Sequence, residues 1–233
     1  MRNRVLEKAV AIENRLKPLA HLYLLVRKHE QASKRMNQHL TGRGYKSDEV
    51  LAYSQMLSKA RKEVSEQISS IVSEHPVYVK YFTRLKGVGE VFSAIIIALA
   101  PARNFANISK LWKYAGLTPE SKRVRGQRTN YNVKLKTALY TVVSNMLMQK
   151  SVYKQVYDNF KAEEKEKHPE LSRLHVHMRA MRKTMKLLAA HYWLAYRKTL
   201  GLPVTKPYAH AILGHRDYID VLVDKPEPGR WSP

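Results

Sequence analysis

The chain has 233 residues, 44% of them hydrophobic, which is enough to bury a core and to build one or two domains. Against 42 Lys+Arg stand 19 Asp+Glu, and the formal net charge of +23 favours a polyanionic partner, because such a surplus repels itself at low salt. Cys is absent, which excludes disulfides, thiolate zinc sites, iron–sulfur clusters and cysteine nucleophiles, and neither the N-terminus nor the apolar run Val91–Ala100 has the make-up of a signal peptide or a membrane span.

Gly and Pro are few and clustered, and between the clusters apolar residues recur at three- and four-residue spacing, so the predicted fold class is all-α. A first helix is predicted over roughly 4–39, with Leu16, Leu19, Leu22, Leu24 and Val26 among its apolar positions and Pro18 as a bend or break. Thr41-Gly-Arg-Gly44 is a turn. A second helix, capped by Ser47 or Asp48, runs to about Ser73 on a stripe of Val50, Tyr53, Met56, Val64, Ile68 and Ile71. Together they predict a long helical hairpin, either an intramolecular coiled coil or half of a dimer interface.

After His75-Pro76 the elements shorten. A helix ends near Leu85, the Gly87-Val88-Gly89 turn follows, an apolar helix spans 90–99, and Asn107 caps a short helix ended by Gly116. Residues 117–131 lack periodicity and read as an exposed loop. The next helix, over 132–149, carries Leu135, Leu139, Val142, Val143 and Met146; the last, over about 170–200, carries Leu174, Met178, Met181, Met185 and Leu188. Gly201 is its stop, and the Pro-rich remainder reads as an extended, partly disordered tail. The expected units are a hairpin over 1–76, a helix-hairpin-helix bundle over 77–201, and the tail over 202–233.

Leu85–Ala94 has the pattern of a helix-hairpin-helix motif. Gly87 and Gly89 allow close approach, Val88 pins the turn to the core, and amides at the start of the next helix can donate to a phosphate, with Lys86 beside them. Glu90 opposes this, since a carboxylate at a helix start competes with phosphate. Lys122, Arg123, Arg125 and Arg128 crowd the loop around Gly126, and Lys134 and Lys136 follow, with only Glu120 against them. Such a loop can track a phosphate backbone. On the last helix Arg179, Arg182, Lys183 and Lys186 share one face by their spacing. The aromatics of His191-Tyr192-Trp193 and Tyr196 read as core.

The ordered series Leu85–Ala94, Lys113-Tyr-Ala-Gly-Leu-Thr-Pro119, the basic loop and Lys134–Val143 resembles the C-terminal transposase domain of the insertion sequence one-ten family. Met181–Leu188 resembles that domain's closing helix, and the upstream hairpin its preceding coiled coil, so the resemblance covers roughly residues 50–200. It implies a DNA-handling scaffold, with RNA as an alternative partner because the family works with guide RNA. It also implies a RuvC-like nuclease domain with an acidic metal-binding tetrad, for which the sequence has no room before the hairpin. The family's serine nucleophile lies in a Ser-Gly pair after the "GLxP" proline. Here Arg125-Gly126 stands at the natural equivalent, and Ser121 is followed by Lys122.

No other site competes. His175 and His177, two apart, point about 200° apart on a helix and cannot chelate one metal together. His210, His215, Asp217 and Asp220 read as a solvated tail rather than a weak metal site, and Glu163, Glu164 and Glu166 as a solvated helix face. The expectation is a non-catalytic protein without cofactor or metal. It is a homodimer that holds double-stranded or branched DNA, with no membrane partner, in the cytoplasm or nucleoid. A minimal recombinase using Ser121, or a ribonucleoprotein component, are the alternatives.

Overall fold

A computed structural model describes residues 2–205 and 220–225, and among these residues there are α-helices and 3-10 turns but no strand. In chain order the helices are α1 (Arg2–Gly42), α2 (Asp48–Val72), α3 (Pro76–Lys80), α4 (Glu90–Leu99), α5 (Ile108–Tyr114), α6 (Val133–Met148), α7 (Val152–Lys167) and α8 (Arg173–Thr199). The fold is all-α. None of the helices described is long and apolar enough to cross a membrane.

α1 and α2 form an antiparallel hairpin, held along its length by polar pairs: Ser33 meets Ser54 at 2.5 Å, Glu30 pairs with Arg61 at 2.5 Å, and Lys8 pairs with Glu74 at 3.5 Å. α1 passes through Pro18 without ending. The proline lies on the exposed face, where the carbonyl it leaves without a donor can be hydrated. Ser47 caps α2 by accepting from the Val50 amide at 3.3 Å. The expected stripe of α2 is out of phase in its first half: Ser54 and Leu57 turn inward, whereas Tyr53 and Met56 are exposed. The reason is that this half packs on the polar stretch of α1 around Glu30 and Ser33.

α4 is apolar all round, so it can only be stable buried. Ala94–Leu99 are buried where α4 meets α1, α2 and α6. One continuous core runs from Ala9, Ile12 and Leu16 of α1 through α4 to α6 and the second half of α8. There Tyr192, Trp193 and Tyr196 are buried, as expected. Tyr192 donates to the Ala100 carbonyl at 2.9 Å and Trp193 to that of Phe105 at 2.8 Å.

Buried polar groups tie the hairpin to this bundle. The Glu13 carboxylate of α1 accepts from the Tyr196 hydroxyl at 2.5 Å, faces His75 Nε2 at 3.4 Å and pairs with Arg103. His75 Nδ1 accepts from the Val77 amide at 3.2 Å, so the neutral ring with its proton on Nε2 satisfies both contacts. Burial lowers the pKa of His75 to about 4.

Three expectations for the C-terminal half are corrected. Glu164 of the helix Val152–Lys167, read as lying on a solvated helix face, is 3% exposed. The Leu171-Ser172 break starts α8 only at Arg173, with Ser172 accepting from the His175 amide. Leu174 and Met178 are exposed, because the core meets α8 from Ala180 onward. His210, His215 and Asp217 lie outside the described residues.

Candidate nucleic-acid interface

The hairpin turn has two unlike glycines. Gly87 has φ +83°, and a Cβ there would meet the Met146 Cα and N of α6 at 2.8 Å, so only glycine fits. Gly89 has φ −83°, faces open space and is exposed. Val88 packs half-buried on the core, and Ala94 is fully buried. The first backbone bond of α4 runs from the Ser93 amide to the Gly89 carbonyl at 3.0 Å, which leaves the amides of Glu90, Val91 and Phe92 ahead of the helical ladder. Glu90 engages Tyr78: burial, then the Glu90 charge and hydrogen bond, raise the pKa of that phenol.

The basic loop is closed at its base. The Asn132 amide donates to the Tyr114 carbonyl at 2.8 Å, and its Nδ2 donates to the Tyr114 hydroxyl at 2.8 Å. The Tyr131 ring lies where a Cβ on Gly116 (φ +69°) would stand. Asn132 also caps α6, accepting from the Leu135 amide at 3.0 Å. Between these anchors the chain turns at Gly126 (φ +77°). Lys122, Arg123, Arg125 and Arg128 are all exposed, with no ion pair among the described residues.

Three further cations gather where α5, α6 and α8 meet. Lys136 lies 4.8 Å over the Tyr131 ring and Lys186 4.3 Å over Trp112, whose indole N–H donates to the Lys186 carbonyl at 2.9 Å. Burial, and next the Arg182 guanidinium, lower the pKa of both amines. No carboxylate of the described residues pairs with these three groups. The reading from sequence did not pick out Trp112 and Tyr131. Their only signal was an aromatic at each end of the loop region. Lys134 lies 3.0 Å from His21 of α1, whose pKa is lowered by burial and then by Lys134 and Lys17.

The expected single basic face of α8 is divided. Arg179 pairs with Glu164, and Lys183 pairs with Glu164 at 2.7 Å and Glu163 at 3.4 Å. Burial works to raise the pKa of Glu164, but the hydrogen bonds and charges of Lys183 and Arg179 outweigh it and hold the carboxyl below its ordinary value. Arg182 and Lys186, on the neighbouring ridge, turn instead toward Lys136 and the Trp112 ring. Ser121 has its hydroxyl 3.0 Å from that of Thr118. His177 bonds Tyr157 at 2.7 Å and His175 contacts Ser172 at 3.3 Å, so the two rings serve different neighbours. Among the described residues, no three His, Asp or Glu side chains are grouped to share a metal ion.

Residues 79–158 match the model of the transposase IS116/IS110/IS902 family. The match spans about a third of the chain. It takes in the hairpin turn, the basic loop, α6 and the start of α7, while the α1/α2 hairpin and the Met181–Leu188 stretch fall outside it. No curated protein matches the chain.

Proposed function

We propose that this transposase-like chain holds double-stranded or branched DNA through its phosphates and makes or breaks no bond itself. The observation that carries the reading is a set of cations left without acidic partners. Four stand on the anchored loop 122–128, and Lys136, Arg182 and Lys186 crowd together beside it at the cost of mutual repulsion. A polyanion relieves that repulsion, and releases its own counterions in doing so. Lys86, Val88, Gly89 and the leading amides of α4 offer a second phosphate contact, and Lys134 extends the surface along α6. The non-catalytic part of the reading rests on the sequence, where Arg125-Gly126 stands at the natural equivalent of the Ser-Gly pair in the family it resembles.

A salt titration tests the proposal. If about six phosphates are engaged, affinity for duplex DNA falls ~10³-fold between 50 and 200 mM salt. A flat titration overturns it. Tighter binding of structured RNA than of duplex or four-way-junction DNA at fixed salt assigns the surface to RNA. Strand joining that disappears in Ser121→Ala while binding persists assigns the chain an enzymatic role.

A second copy of the chain is the other partner in this reading. It would dock on Met36, Tyr53 and Met56, apolar side chains that the outer part of the hairpin leaves exposed. Sedimentation that is unchanged by Met56→Glu speaks against that assembly.

A further inference from the structure

Residues 220–225 return to the hairpin turn from far along the chain. Val221, Leu222 and Val223 pack half-buried on the core. The Arg84 carbonyl accepts from the amides of Asp224 at 3.0 Å and Lys225 at 3.2 Å, and Arg84 Nε donates to the Lys225 carbonyl at 2.8 Å. The Asp224 carboxylate then joins three segments. One oxygen accepts from the Lys86 amide and the Ser151 hydroxyl, each at 2.8 Å, and the other accepts from the Val152 amide, also at 2.8 Å. Lys86 opens the Gly87-Val88-Gly89 turn, and Ser151-Val152 begins α7.

The side of the turn that Asp224 holds is the inner one. Lys86 precedes Gly87, which is seated against the α6 backbone, while Gly89 faces open space. The carboxylate therefore ties the turn to the N-terminal end of α7 and makes no hydrogen bond to the leading amides of α4. We infer that Asp224 is a positioning residue: it fixes the hairpin turn in the shape that presents the α4 amides to a phosphate before nucleic acid arrives. This rests on the DNA-holding reading above. The competing idea, that the carboxylate occupies a phosphate seat and must be displaced, predicts the opposite sign for its removal.

The sign is informative because the charge effect runs against it. On a chain of net charge +23, removing an acid beside a polyanion surface by itself strengthens binding. The test is anisotropy of a labelled duplex across 50–200 mM salt with the wild type and Asp224→Ala, alongside amide hydrogen exchange. Expected is an affinity about five- to tenfold lower, with the slope of log affinity against log salt shallower by about 0.9 for each phosphate that the turn no longer neutralises. The Lys86 and Val152 amides exchange faster, while the α4 and α6 ladders keep their protection. Asp224→Asn, which keeps one acceptor oxygen, falls between the two and decides the matter if the alanine variant does not fold. Stronger or unchanged binding by the variant overturns the inference. If the wild type itself shows no salt-dependent binding, the DNA reading fails. The exchange data then judge the clasp alone, and unchanged Lys86 and Val152 amides overturn it.

Discussion

Helix α8 carries four cations between residues 179 and 186, and they meet opposite fates. Arg179 and Lys183 face α7, where Glu163 and the buried Glu164 neutralise them. Arg182 and Lys186, on the neighbouring ridge, pair with no carboxylate of the described residues: Arg182 sits near Lys136 and Lys186, and Lys186 lies over the Trp112 ring. Spacing along a helix determines which side chains share a face, but the helix packed against that face decides whether their charge is spent or available. The hairpin turn repeats the contrast in backbone form: Gly87 is committed to packing, and Gly89 is open.

The contrast can be broken most forcefully at the turn. Gly87→Ala must strain a positive φ and push on the α6 backbone, so thermal melting should show a loss of about 3 kcal/mol or more, whereas Gly89→Ala leaves the melting temperature unchanged and lowers only duplex affinity. Equal effects at the two positions would erase the distinction. Glu164→Gln leaves Arg179 and Lys183 without their main partner. It should cost about 1–3 kcal/mol in urea unfolding and raise duplex affinity, because spent cations become available. Arg182→Ala with Lys186→Ala should lower that affinity about tenfold and make the salt slope shallower, at little cost in stability, since mutual repulsion is relieved. The smallest effect is expected for Arg179→Ala assayed for binding, within about twofold of wild type, because its charge is already balanced. A tenfold loss there would place the interface on the wrong ridge.

Local chemistry was legible in the residues themselves. The cap at Asn107, the start of α2 at Ser47 or Asp48, the bounds of α4 and the buried stripe of α6 all follow from side chains acting within a few positions. Features fixed by a distant neighbour were not. Tyr53 and Met56 match a helical stripe, yet stay exposed because α1 opposite them is polar. Glu164 looks like any acid in a mixed-charge run until α8 covers it. The exposed loop was legible from its lack of periodicity, but the aromatic seat for Lys186 depends on Trp112 arriving from α5. Asp224 lies in a stretch whose prolines suggest a loose end, and only the folded chain brings it within reach of Lys86 and Ser151.

The Glu13–His75–Tyr196–Arg103 knot bears on how two copies would sit together. It ties the base of the hairpin to the bundle, and with the Arg27 guanidinium over the Phe92 ring it sets the direction in which the outer arm of the hairpin leaves the core. From Leu24 to the end of α1 that arm has a length of about 27 Å at about 1.5 Å per residue. On the reading proposed above, two arms that met at their tips would act as a ruler, holding the two basic surfaces at a set separation and angle. A synapse built that way would select substrates by the distance between two duplexes before any base was read.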